Sequence, residues 1–129
     1  MERSNEVVTD ATQLKSDNYE AVPCFTLDSL IDTYQLDRVD LLKIDAEGHE
    51  LPVLEGSQLL IERFAPIILY ENIAGNQGSN LAAARWLEGK GYRLYRYRPY
   101  LQELLEIESE ADLQGILNVI ALPEQELRD

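Results

Sequence analysis

Residues 40–50 read DLLKIDAEGHE. An apolar run, Val39–Ile44, passes without a break into a polar cluster holding Asp45, Glu47, His49 and Glu50. A short and almost continuously apolar run is the pattern of a strand buried on both faces of a parallel sheet. Gly48 is free to take a positive φ, so Asp45–His49 reads as the turn that leaves this strand. In open α/β sheets ligands bind outside the carboxyl ends of the strands. The cluster therefore sits where such a fold does its chemistry.

Working outward, Thr26 reads as the N-cap of a helix over Leu27–Tyr34, with Leu27, Leu30 and Ile31 at helical spacing. Val22–Phe25 reads as a short strand before it. After the turn, Glu50–Glu55 reads as one or two helical turns with Pro52 near the start. Gly56 ends that piece and Ser57 caps a helix over Gln58–Phe64. Pro66 introduces a second buried strand, Ile67–Glu71. A polar loop leads to a helix over Leu81–Lys90, which Gly91 stops. The stretches Tyr92–Tyr97, Leu104–Ile107 and Ile116–Leu122 read as strands. The order predicts an α/β fold: a mixed sheet with parallel central strands and an antiparallel edge.

The chain has 129 residues, which suits one domain. Its formal net charge is −13. A phosphate-binding protein needs a basic footprint, so nucleic-acid and anionic-membrane partners are disfavoured. The run Glu103, Glu106, Glu108, Glu110 and Asp112 reads as a solvated face. Arg93, Arg96 and Arg98, interleaved with tyrosines, read as an edge strand that balances this acid. Cys24 is the only cysteine. It reads as a small core residue beside Phe25, and no Cys/His set for zinc exists. No apolar run approaches the roughly 18–20 residues of a membrane span, and residues 1–17 have no apolar signal core, so the default compartment is the cytoplasm.

Several spaced elements carry a resemblance. They are V22 with T26-L-D-S-L, then V39-D-L-L-K-I-D-A-E-G-H-E-L51-P-V-L-E-G-S57, P66-I-I-L-Y-E71, G91-Y and N118-V-I-A-L-P123. Together they resemble the FkbM family of methyltransferases, whose signature (lysine, isoleucine, aspartate, any residue, glutamate, glycine, any residue, glutamate) matches Lys43–Glu50. The resemblance implies a Rossmann-like class I fold with S-adenosylmethionine as methyl donor. It also implies transfer to a hydroxyl of a sugar-, lipid- or polyketide-like acceptor. That family holds its donor on a glycine-rich turn in the first half of the domain. Here the earliest glycine is Gly48. Residues 22–123 are therefore expected to be the C-terminal part of such a domain, with 1–21 a polar lead-in and 124–129 a tail. The isolated chain is expected to bind the donor weakly or not at all. A complementing N-terminal half, or a second copy, would be its partner.

Asp45, Glu47 and Glu71 are the candidate catalytic residues, with Asp45 also the candidate cofactor contact. Methylating a hydroxyl needs a base for its proton, or a metal that lowers its pKa, and clustered carboxylates serve either purpose. The plain alternative is that they cap the following helices. His49 has the pKa of a general base but falls at a variable signature position, and an exposed helix-start residue is the simpler reading. Lys43 either covers apolar surface with its stem or pairs with a carboxylate. Gly75–Gly78 reads as a flexible loop. The rival to an enzyme is a non-catalytic remnant, or a module that pairs through an open sheet edge.

Overall fold

Thr26 ends an extended lead-in and starts the first helix of the computed structural model, which describes residues 20–73 and 78–124. The Thr26 hydroxyl accepts from Ser29 N, and α1 runs over Leu27–Thr33. Strand β1 is Leu41–Ile44. Two helices follow, α2 (Glu50–Glu55) and α3 (Gln58–Phe64), and then strand β2 (Ile67–Glu71). Helix α4 (Leu81–Gly89) leads to β3 (Tyr92–Arg98) and β4 (Glu103–Glu106). A 3-10 turn, Glu110–Leu113, precedes the last strand, β5 (Asn118–Pro123).

The five strands form one sheet in the order β1-β2-β5-β3-β4. Of the neighbouring pairs only β1–β2 is parallel, and β5 inserts antiparallel between β2 and β3. The fold is α/β with a mixed sheet, but the parallel pair lies at one edge and not at the centre. The reason is the α4 crossover: it delivers the chain two strands beyond β2, and β5 returns to fill the gap.

Alternation along the strands puts Ile44, Ile68, Tyr70, Leu94, Val119 and Ala121 on one face. That face forms a single core with Leu54, Leu60, Ile61, Ala83, Ala84 and Leu87 of the helices. Asp28 ties α1 to this layer across the chain. Its carboxylate accepts from Leu59 N at 3.0 Å and Leu60 N at 2.8 Å, filling the N-terminal donors of α3. Ser57, expected to cap α3, instead turns its hydroxyl back to Val53 O.

Four other expectations are corrected. Strand β1 is not buried on both faces: among the described residues it is an edge strand, and Leu41 is 60% exposed. Residues 22–25 form no strand and lie exposed, because Pro23 lacks the N–H a ladder needs. Cys24, in that segment, is exposed and not a core residue. The arginine-bearing β3 is an inner strand flanked by β5 and β4. Its Arg93 pairs with Glu106 and Glu124, and Arg98 pairs with Glu103. The acidic run itself is exposed as expected.

Tyr70 is fully buried, and its hydroxyl has no hydrogen-bond partner among the described residues. Burial first, then the charges of Glu88 and Glu50, hold its phenol well above the usual range. Such a group carries a desolvation cost of about 1–3 kcal/mol. Tyr70→Phe is expected to leave the Tm unchanged or raise it. A loss above about 1 kcal/mol in urea denaturation would show that the hydroxyl contributes a net hydrogen bond.

Candidate functional site

The register of β1 on β2 decides the site. Ile44 stands opposite Tyr70, so the next residues along, Asp45 and Glu71, face each other at one rim of the sheet. They are on adjacent parallel strands, as a helical crossover between buried strands predicts. Alternation places Glu71 on the sheet face away from the core, with Ile67 and Leu69.

The two carboxyl groups come close enough to share a hydrogen bond. A carboxylate only accepts, so such a bond requires one of the two to carry a proton. The Glu71 carboxyl is accordingly pushed up to about 7. The hydrogen bond to Asp45 is the largest cause, followed by burial and by the negative charges of Asp45, Glu50 and Glu47. A like-charge pair sharing one proton is a standard way to bring a carboxyl close to neutrality.

The turn after β1 is wound tightly. Glu47 takes a left-handed φ of 49° and Gly48 one of 97°. The glycine does so freely, and the glutamate only because its surroundings hold it there. Glu50 does the holding. Its side chain is fully buried, with Oε2 accepting from Ala46 N at 2.8 Å and Oε1 from Gly48 N at 3.0 Å. The same Oε1 accepts from Asn80 Nδ2 at 3.1 Å. Asn80 also caps α4 through Ala83 N.

Behind it lies Asn72, just past β2 and buried. Its Nδ2 donates to Leu113 O at 2.9 Å and Ile116 O at 2.8 Å, and its Oδ1 accepts from Asn80 N. Gly48, Glu50, Asn72, Ser79 and Asn80 line part of a cleft of about 320 Å³, with Leu81 and Ala82 completing its wall. The Asp45–Glu71 pair and this cleft are joined by the loop 46–49.

Of the candidate residues, the structure brings Asp45 and Glu71 into contact and leaves Glu47 exposed on the turn between them and Glu50. His49 is exposed at the start of α2 and makes no side-chain cap; its Nδ1 lies 3.2 Å from Ala46 O. Lys43 is exposed and makes no ion pair among the described residues. Gly75 and the loop beside it, 74–77, fall outside the described residues. No group of three or more His, Cys, Asp or Glu side chains close enough to hold a metal occurs among those described. No helix among them is long and apolar enough to cross a membrane.

The sequence reading missed the parts played by Glu50, Asn72 and Asn80. Glu50 carried a signal, since a glutamate directly after a Gly turn at a helix start can reach back to the turn's N–H groups. The two asparagines carried none, because their partners lie 8 to 44 residues away.

A family model described as the methyltransferase FkbM domain matches residues 3–94, a span that includes the whole rim, α4 and the start of β3. The match begins before the resemblance noted at residue 22 and ends before β4 and β5. Neither a curated protein nor a solved structure gives a match.

Proposed function

The chain belongs to the FkbM methyltransferase family, and from that premise we propose that it serves an S-adenosylmethionine-dependent O-methyltransferase of Rossmann-like fold. The Asp45–Glu71 pair is the acid/base group on the acceptor side. The observation that carries this reading is the meeting of the Asp45 and Glu71 carboxyls at the carboxyl ends of two adjacent parallel strands, where Glu71 is pushed up to about 7. A base with that pKa is half ionised at neutral pH, near the optimum for proton transfer.

Methylation of a hydroxyl forms one O–C bond, breaks the donor's S–CH₃ bond with the electron pair left on the now neutral thioether, and releases one proton. Glu71 accepts that proton, and Asp45 shares it. When bound, S-adenosylmethionine supplies the methyl group as an electrophile on a positive sulfur. The acidic rim of Asp45, Glu47 and Glu71 suits that charge. The rest of the donor fits less well. After β1 and β2 the described residues offer Asp45–His49 and Glu71–Ile73, neither of them a glycine-rich turn of the kind that admits a nucleoside. The residues on view therefore argue for the proton-handling side of the reaction and assign no seat to the adenosine. Isothermal titration is expected to give weak donor binding. A low-micromolar Kd, about −8 kcal/mol, would place a full donor site on this chain.

The cleft beside the loop, lined by Glu50, Asn72, Ser79 and Asn80 as well as by Leu81 and Ala82, offers hydrogen-bonding groups for a hydroxylated acceptor. The test is transfer of a labelled methyl group to a panel of hydroxylated acceptors. A methyl ether as product supports the reading. Methyl transfer only to nitrogen or sulfur acceptors sinks it.

One observation favours a second role. The outer edge of β1 has no strand paired to it among the described residues, and Leu41 beside it is exposed. Such an edge is a template for another strand, from a second copy or a complementing segment. Residues 21–25 are exposed and form no strand that could cover it. Sedimentation velocity across concentrations tests the pairing, and a monomer throughout would oppose it.

A further inference from the structure

Glu50 is a fully buried carboxylate with no lysine or arginine paired to it among the described residues. A buried charge normally requires a cation or a full set of donors. Glu50 has the donors. Two are backbone N–H groups of the turn, Ala46 and Gly48, and the third is the Asn80 side chain on α4. The first two bonds wind the backbone between Asp45 and His49 into its left-handed path. The third anchors that wound loop to a helix contributed by a separate part of the chain. Stability alone would be served as well by an apolar residue, since replacing buried ionic groups by hydrophobic ones is often neutral or favourable. What an apolar residue cannot do is hold two turn N–H groups and present a fixed negative charge behind the rim.

We propose that Glu50 is the positioning residue of the rim: its carboxylate fixes the 46–48 turn so that Asp45 meets Glu71, and Asn80 holds Glu50 in register from α4. The proposal rests on the acid/base reading of the Asp45–Glu71 pair. It adds that the pairing is imposed from the core and is not an accident of two exposed side chains. The groups acting on Glu71 are Asp45, Glu50 and Glu47, all negative. Removing the Glu50 charge and loosening the turn therefore act in the same direction, and both let Glu71 ionise more easily.

The experiment is a carboxyl-carbon NMR titration of the full chain as wild type, Glu50→Gln and Asn80→Ser. Glutamine keeps the shape of Glu50 but points an N–H₂ at donors it cannot accept from. Serine keeps the α4 cap and is too short to reach Glu50. In the wild type one rim carboxyl is expected to titrate near 7. In both variants that midpoint is expected to fall by ~1 pH unit or more. A lowered Tm with an unmoved midpoint would make Glu50 merely structural and overturn the proposal. If Glu50→Gln does not fold, Asn80→Ser decides by the same criterion. The readout involves no methyl transfer. A shifted midpoint in a chain that methylates nothing would uphold the positioning role and defeat the proposed function. An unmoved midpoint in an active chain would do the reverse.

Discussion

Glu71→Gln is expected to lower methyl transfer by ~10²–10⁴-fold, the usual worth of a general base, while the fold survives. Glutamine keeps the size of the side chain and can still donate an N–H to the Asp45 carboxylate. It cannot accept a proton from a hydroxyl. The wild-type rate should rise with pH through a midpoint near 7 and level off above it, because only the ionised pair is a base. Stability should move the other way. The Glu71 carboxyl is raised from 4.5 to about 7 on folding, so between those values the native state holds a proton that the unfolded chain has released. Stability then falls as pH rises through that window, and the contribution is gone above 7. Removing the titrating group should flatten this slope, leaving Glu71→Gln more stable than the wild type at pH 8 but not at pH 5. Thermal melts at several pH values and initial rates on the same samples check both halves. Wild-type rates with an unchanged pH profile in Glu71→Gln would remove Glu71 from the chemistry. A slope that persists in the variant would mean that the pair shares no proton.

The residues of this pair were legible from the sequence because their signals are local. A buried strand announces itself by composition, and Asp45 and Glu71 each follow such a run directly. Parallel pairing then follows from the helices between them, and the register completes the contact. The helices were legible for the same reason: Thr26, Pro52, Gly91 and the spacing of Leu81, Ala84 and Leu87 are signals within one turn. The open edge of β1 among the described residues was legible only from the want of a glycine-rich turn before it, and not from the composition of the strand. Val39–Ile44 is as apolar as a central strand, and composition reports neither which neighbours a strand finds nor where β5 inserts. Nor did the local pattern show that Asp28 caps a helix 31 residues away. A carboxylate that fills distant donors looks, in one dimension, like any acidic residue at a helix start.

The polar groups behind the rim should matter most to stability, and Asn72 most among them. Asn72→Ala is expected to cost about 3 kcal/mol or more. It deletes two hydrogen bonds to the carbonyls of Leu113 and Ile116 and one from Asn80 N, all at a buried side chain. Some of this loss is softened. Leu113 O keeps a bond from Ser79, and Asn80 N keeps its bond to the Asn72 backbone carbonyl. Ile116 O is left without the side-chain donor it has now. Asn72→Asp is the sharper experiment, because the shape is retained and only the chemistry changes. An ionised carboxylate there would face two carbonyl oxygens with no hydrogen to offer, at a cost of several kcal/mol for the buried charge. It escapes by taking a proton, which restores one donor. Asn72→Asp should therefore be less stable than Asn72→Ala at pH 8 and recover part of the difference at pH 5. A domain of this size commonly has about 5–15 kcal/mol in all, so the aspartate variant approaches unfolding at the higher pH. Urea denaturation at the two pH values checks the order. A loss under about 1 kcal/mol for either variant would mean that solvent reaches the site and the carbonyls need no partner. The expected loss would mean that the turn before β5 is fastened to the rim end of β2 by this one amide. Residues 41 and 44 positions apart in the chain would then hold the rim in a single geometry.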